Sequence, residues 1–319
     1  MSSFHIFINT FNREKLLLKF LENLIQVERL KANERHSMQV HVFDDCSDQK
    51  YNDVEALLSK FKTSGTIQRS HVRNGKKKLW RIFDAEFKQA MFLKESDYYL
   101  FVPDDFEFCG DFFNLVDHHF EIIDDRKKIA INLLTDQRAW RAVGNNIQPE
   151  KVRHGKHFFV KAGWLDCAFA CKRELLELLN YNIDPIPIDR WNGKDNGLNS
   201  GVGEQVSNRI VAARKHIYCP TRSLSKHLNS VSFLNSINGS RETFVEQNYY
   251  GDKYKLPTKE SELLAALKAI PKTPPPVLLQ VAPKSLAVAL PQNSQTEFTR
   301  TASLASIPAR QEALRKTIA

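Results

Sequence analysis

The chain has 319 residues, 42% hydrophobic and 26% charged, which is enough apolar material for one large domain or two ordinary ones and excludes a wholly disordered chain. Of its net charge of +9, +5 falls from Lys255 onward, where nine Lys and Arg face four Glu; only +4 is left for the first 254 residues, so the charge says little about a folded body. No apolar run is long enough to span a bilayer, the start MSSFHIFINTFNREK lacks the basic and long apolar regions of a signal peptide, and five cysteines without paired spacing suit a reducing compartment, so the chain reads as soluble and cytoplasmic.

The first half alternates two periods. FHIFI (4–8) predicts a short strand. After it, Leu16, Leu17, Phe20, Leu21, Leu24 and Ile25 recur at helical spacing within 12–30. MQVHVF (38–43) predicts a second strand, NDVEALLSKF (52–61) a helix, TIQRSHV (66–72) a strand, LWRIFDAEFKQAMFL (79–93) a helix, and YYLFV (98–102) a fourth strand. This rhythm predicts right-handed crossovers and a mainly parallel sheet flanked by helices, an α/β architecture of Rossmann type.

The second half is less regular. KIAINLL (128–134) predicts a strand, and WLDCAFACKRELLELL (164–179) passes from strand-like to helical. Residues 184–203, rich in Pro, Asn and Gly, predict a long functional loop; 204–215 predict a helix and HIYCP (216–220) a short strand. Residues 256–270 read as a short helix or linker. From Pro271 the chain turns to PKTPPP and Ser/Thr/Gln/Ala runs, the composition of a basic disordered tail over 271–319. Cys167 and Cys171 stand four apart without a second pair or a histidine set, so buried thiols fit better than a zinc site.

Chemistry gathers where predicted strands end. YYLFVPDDFEF (98–108) places Asp104, Asp105 and Glu107 directly after a buried strand. Like charges this close repel unless something positive sits between them, and a divalent cation is the simplest candidate; the plain alternative is a solvated acidic turn. Residues 9–13 (NTFNR) and 44–47 (DDCS) also follow strands. In a parallel sheet all three clusters converge at the carboxyl edge, where ligands bind. Each residue type also has an ordinary use: Asp44 and Asp45 as helix caps, Arg81 and Lys76–Lys78 as solvated charges, and Glu204 as a first-turn carboxylate favoured by the helix dipole.

Taken in order, these segments resemble the nucleotide-sugar glycosyltransferases of the GT-A fold, of the broad inverting type. FHIFINTFNREKLLLKFLENLI resembles the opening strand, turn and first helix; VHVFDDCSD the second strand and its Asp-Asp-x-Ser turn; YYLFVPDDFEF the metal-binding acidic motif. GWLDCAFACKRELLELL resembles the acceptor-side segment, GEQVSNRIVAARKHIYCP the segment in which Glu-Asp opens a helix, and PTRSLSKHLNSVS a late segment with a metal-site histidine. The likeness covers about 4–235.

The resemblance implies one glycosyltransferase domain over 1–255, with a nucleotide-sugar half to about 127 and an acceptor half from 128. It implies Thr10, Asn12, Arg13 and Asp45 around the base, Asp104 at the ribose or metal-bound waters, and Arg81 at the donor sugar or phosphate. Asp105, with His227, would hold Mn²⁺ or Mg²⁺ against the diphosphate of a UDP-type sugar. The family's usual Glu-Asp is Glu204-Gln205 here, so the base falls to Glu204, or to Asp166 or Asp195. The acceptor stays open between a glycan and a modified DNA base, for which the basic tail and Lys76–Lys78 would contact phosphates and the base would be flipped out. The alternatives are a nucleotidyltransferase, whose Gly-rich triphosphate signature is missing after the first strand, and a non-catalytic module, for which Gln205 is the best support.

Overall fold

The computed structural model describes residues 2–48, 50–63, 65–135, 149–165, 168–191 and 200–228. The expected domain limit at 255, the linker 256–270 and the tail 271–319 lie outside them. No helix among the described residues is long and apolar enough to cross a membrane.

Four parallel strands build the first half: β1 (Ser3–Thr10), β2 (Ser37–Asp44), β3 (Thr66–Arg69) and β4 (Tyr98–Pro103), joined through α1 (Glu14–Arg29), α2 (Asn52–Leu58) and α3 (Trp80–Phe92). The period-2 alternation of a strand sorts their side chains onto two faces. Phe4, Ile6 and Ile8 of β1, and Tyr98, Leu100 and Val102 of β4, pack with Leu17, Phe20, Leu21 and Leu24 of α1. Phe7, Tyr99 and Phe101 turn to the other face and pack with Phe83 and Phe87 of α3. Both faces are covered, which is why YYLFV is apolar throughout instead of alternating. Each fully buried Leu or Phe here contributes roughly 1.5–3 kcal/mol by leaving water.

Beyond β4 come β5 (Phe106–Phe108), α4 (Phe112–Ile122), β6 (Lys128–Asn132), the hairpin β7 (Glu150–His154) and β8 (His157–Ala162), β9 (Phe169–Cys171), α5 (Arg173–Leu178), α6 (Val202–Ala212), β10 (His216–Pro220) and β11 (Ser225–His227). The large sheet has the order β3-β2-β1-β4-β9-β6-β10-β8-β7. Only β9 and β8 run against the other seven, as their antiparallel pairings require. The strand order reverses between β1 and β4: the chain first builds outward through β2 and β3, then returns to the far side of β1. A crevice at the carboxyl ends of β1 and β4 follows from that reversal.

Several expectations shift in extent. The third strand stops at Arg69 instead of running to 72, and the helix expected over 204–215 spans Val202–Ala212. Three features were not anticipated. α4 carries Phe112, Phe113, Leu115, Val116, His119 and Phe120 on one buried face, a helical period that the sequence displays. The β7–β8 hairpin turns through Gly155 at φ 58 and Lys156, a two-residue connection of the kind that favours Gly. The short pair β5–β11 forms a separate two-stranded sheet. Of the cysteines, Cys46, Cys109, Cys171 and Cys219 are free thiols, the last three buried; Cys167 lies outside the described residues.

Candidate functional site

Thr10 ends β1 and Asp104 follows the last residue of β4, so the strand reversal sets them side by side. The Thr10 hydroxyl donates to Asp104 Oδ2 at 2.5 Å. Asp104 is fully buried. A positive side chain stands between the two aspartates. Arg13 Nη1 donates to Asp105 Oδ2 at 2.8 Å, and its second terminal nitrogen pairs with Asp104 Oδ1. The sequence reading placed Arg13 near the base; the structure places its guanidinium across the acidic pair. Its backbone begins α1, where Arg13 O accepts the N–H groups of Leu16 and Leu17 at 3.0 Å each.

Burial pushes the Asp104 carboxyl up, against the opposite pull of Arg13. Burial pushes Asp105 up as well, but the His227 imidazole and Arg13 outweigh it and hold that carboxyl below the usual carboxylate range. His227 reaches the site because β11 pairs antiparallel with β5, which sets His227 opposite Phe106. The ring packs tilted against Phe106 with centroids 4.5 Å apart, and the Leu228 N–H donates to Asp105 O at 2.7 Å. His227 Nδ1 stands 3.7 Å from Asp105 Oδ1. That distance is beyond hydrogen-bond length, and Asp105 Oδ1 is buried without a hydrogen-bond donor. A buried carboxylate oxygen facing an imidazole fits a hard divalent cation that completes its shell with water and ligand oxygens. Among the described residues no group of three His, Cys, Asp or Glu stands ready as a fuller cage. The donor set therefore fits a cation held by Asp105 and His227.

The neighbouring loops are tied to one another. The Asn12 N–H donates to Ser47 Oγ at 2.7 Å, and the Asn12 side chain exchanges two hydrogen bonds with Asp48, at 2.8 and 3.0 Å. Asn12 sits at φ 51, a conformation Asn tolerates better than most residues. Asp44 is occupied with Ser47 and with Arg69, 3.2 Å away. Asp45 accepts from the Asn74 N–H and Asn74 Nδ2 at 2.8 Å each, and from the Gly75 N–H at 2.7 Å. A carboxylate offers about four lone pairs, so Asp45 keeps about one for a ligand. Beside it the Arg73 guanidinium covers the Phe11 ring at 4.9 Å. Arg81 is exposed and lies over Trp80 at 5.4 Å; the structure does not bring it to the acidic pair.

α6 is fastened to the segment before β9. Ser207 Oγ accepts the Leu165 N–H at 2.8 Å and donates to Gly203 O at 2.5 Å. A Cβ at Gly203 would meet Leu165 O at 2.7 Å, so only glycine lets this helix start lie so close. Glu204 follows it, partly exposed, with Oε2 accepting from Arg190 at 3.0 Å. Asp166 and Asp195, the other two candidate bases, lie outside the described residues.

Sequence reasoning did not single out Glu86. It is fully buried on α3, burial pushes its carboxyl well up, and the Asn9 side chain at the end of β1 is the polar group facing it. An acidic residue within the apolar face of a predicted helix is the signal that could have found it.

No protein-family model matches the chain, and no curated protein matches it in sequence. Solved structures do. The structure of GalNAc-T7 with UDP, GalNAc and Mn²⁺ is 14% identical, covers 75% of this chain and 45% of its own, and superposes with a TM-score of 0.52. S. aureus TarS (residues 1–349) is 14% identical over 70% of this chain and 59% of its own, with a TM-score of 0.45. The mannosyltransferase PcManGT from Pyrobaculum calidifontis, in complex with GDP-Man and Mn²⁺, is 13% identical over 72% of this chain and 58% of its own, also at 0.45. This chain thus spans about half to three-fifths of the structures it matches. The GalNAc-T7 superposition shows that the chain has the GT-A fold. At such identity the likeness speaks for the fold alone.

Proposed function

We propose that this chain is a glycosyltransferase that moves a sugar from a nucleoside-diphosphate donor, a UDP-sugar, to an acceptor hydroxyl with inversion. The observation that carries this reading is the Thr10–Arg13–Asp104–Asp105–His227 cluster at the strand reversal of a GT-A sheet. Asp45 and the Phe11–Asn12 turn line the base side, and Asp104 faces the ribose. Asp105 and His227 hold a divalent ion, Mn²⁺ or Mg²⁺, which when bound supplies positive charge for the departing diphosphate.

Inversion needs one carboxylate to take the acceptor proton as its oxygen attacks the anomeric carbon. Glu204 is the described candidate. Arg190 holds Oε2 and fixes the side chain, which leaves Oε1 to accept the proton. Asp166 and Asp195 remain the alternatives from sequence. The acceptor hydroxyl belongs to a glycan or to a modified DNA base.

The test is a screen of UDP-, GDP- and TDP-sugars with Mn²⁺ or Mg²⁺, reading nucleotide release and the shift in melting temperature. Stabilisation by one donor with metal-dependent release supports the reading. Stabilisation without release from any donor, in the presence of glycan or DNA acceptors, points to a non-catalytic binding module instead.

A further inference from the structure

We infer that Arg13 fills the charge position of the divalent cation in the unliganded protein, so that the ion is taken up together with a nucleoside diphosphate and not before it. This inference rests on the site described above and adds an order of binding to it.

The two aspartates carry four carboxylate oxygens, and three are spoken for. Asp104 Oδ2 accepts from Thr10, Asp104 Oδ1 pairs with Arg13, and Asp105 Oδ2 accepts from Arg13. The remaining oxygen, Asp105 Oδ1, faces His227. One guanidinium offsets one of the two aspartate charges, which leaves Arg13, Asp104 and Asp105 together a net charge of −1 when both carboxylates are ionised. A dication arriving alone meets a nearly compensated site, two protein donors, and a guanidinium that repels it at short range in a water-poor setting. The Arg13 side chain is only 11% exposed, so bulk water screens this repulsion poorly.

A nucleoside diphosphate changes both sides of that balance. It brings oxygen ligands that complete the shell of a hard cation. It also brings anionic oxygens to which a planar guanidinium can turn, a partner for which arginine is well suited. Arg13 has a fixed base from which to turn, because its backbone is held at the start of α1 and only the side chain has to move. The same residue thus keeps two buried aspartates compatible when the site is unliganded and lends its charge to the phosphates when it is filled. A permanent structural ion pair, the alternative role, predicts no exchange with a cation.

The full chain is titrated with Mn²⁺ alone and with Mn²⁺ plus UDP, free Mn²⁺ being read by electron paramagnetic resonance. In the wild type UDP should tighten Mn²⁺ binding by a factor on the order of ten or more, as charge and ligand number both require. Arg13→Gln, checked for folding by circular dichroism, should bind Mn²⁺ without UDP on the order of tenfold more tightly than the wild type, since one nearby positive charge is gone. Asp105→Asn in the Arg13→Gln background should abolish that gain. Wild-type Mn²⁺ binding that is already tight and indifferent to bound UDP overturns the inference. So does an Arg13→Gln protein that folds and binds Mn²⁺ no better than wild type. If that variant does not fold, the wild-type comparison decides alone. If the protein binds no UDP, GDP or TDP at all, the proposed function fails, and the titration of Arg13→Gln with Mn²⁺ alone still decides the role of Arg13.

Discussion

The Gln205 side-chain amide pairs with the backbone of Asp184 at two points: its oxygen accepts the Asp184 N–H at 2.9 Å, and its nitrogen donates to the Asp184 carbonyl at 3.0 Å. An amide matches a peptide group donor for acceptor, and a carboxylate cannot. The residue that departs from the expected Glu-Asp thus pins the start of the 184–203 loop to α6. Gln205→Ala should lower stability by about 1 kcal/mol, the scale of exposed hydrogen bonds, with little change in the chemical step. Urea unfolding and single-turnover rates measured on the same variant separate the two effects.

Glu204 is the neighbour proposed to carry the chemistry. Glu204→Gln keeps its shape and a hydrogen-bond acceptor for Arg190 but removes the basic oxygen. The rate should fall by a factor on the order of 10²–10⁴, the usual worth of a general base, while donor affinity is kept. If that variant retains a near-normal rate and Asp166→Asn or Asp195→Asn is inactive, the base is one of those.

Asp105→Asn should nearly abolish turnover while the protein stays folded, with a lower melting temperature because the charge that Arg13 stabilises is lost. Asn keeps the volume and a carbonyl acceptor for Arg13 but loses the charge that binds a cation. Full activity of this variant, or of the wild type in excess EDTA, rules out the metal assignment.

Gly203→Ala places a methyl group 2.7 Å from the Leu165 carbonyl, a backbone atom that cannot swing aside. Overpacking of this kind costs about 1–3 kcal/mol. A lower denaturation midpoint with unchanged m-value is expected, together with a larger rate loss than stability alone explains, since Glu204 is the next residue.

His41 gives the fold a pH dependence. It is buried against Phe7, with Nε2 3.1 Å from Nδ1 of His5 on β1, and its own Nδ1 faces Thr66 of β3 and Gln89 of α3. Burial and, to a smaller extent, the neighbouring His5 together lower its pKa to about 3. The unfolded chain therefore takes up this proton near pH 6.5 while the folded one refuses it. Stability is complete above about pH 6.5 and is lost as pH falls towards 3, by at most about 1.4 kcal/mol per pH unit for one proton. His41→Gln should flatten the slope of unfolding free energy against pH in that window. An unchanged slope means that His41 is not the group titrating.

What the sequence determined by itself is what depends on neighbours along the chain. The helical period of Leu17, Phe20, Leu21 and Leu24 places α1, and the doubly buried run Tyr98–Val102 places β4 with its two aspartates at the end, because burial on one or two faces leaves a local pattern. The strand-and-helix alternation was enough to place the three polar clusters at one sheet edge. Only the tertiary structure decided who meets whom. Arg13 lies across Asp104 and Asp105, some ninety residues away in sequence, and a charge pattern along the chain does not say which distant carboxylate a flexible cation will reach. His227 arrives through strands of three residues, too short for any period to show, and β9 slips antiparallel between β4 and β6 because pairing is chosen by the space left in the sheet. The role of Gln205 was hidden for the same reason: its partner is a backbone peptide, and backbone groups leave no mark in a sequence.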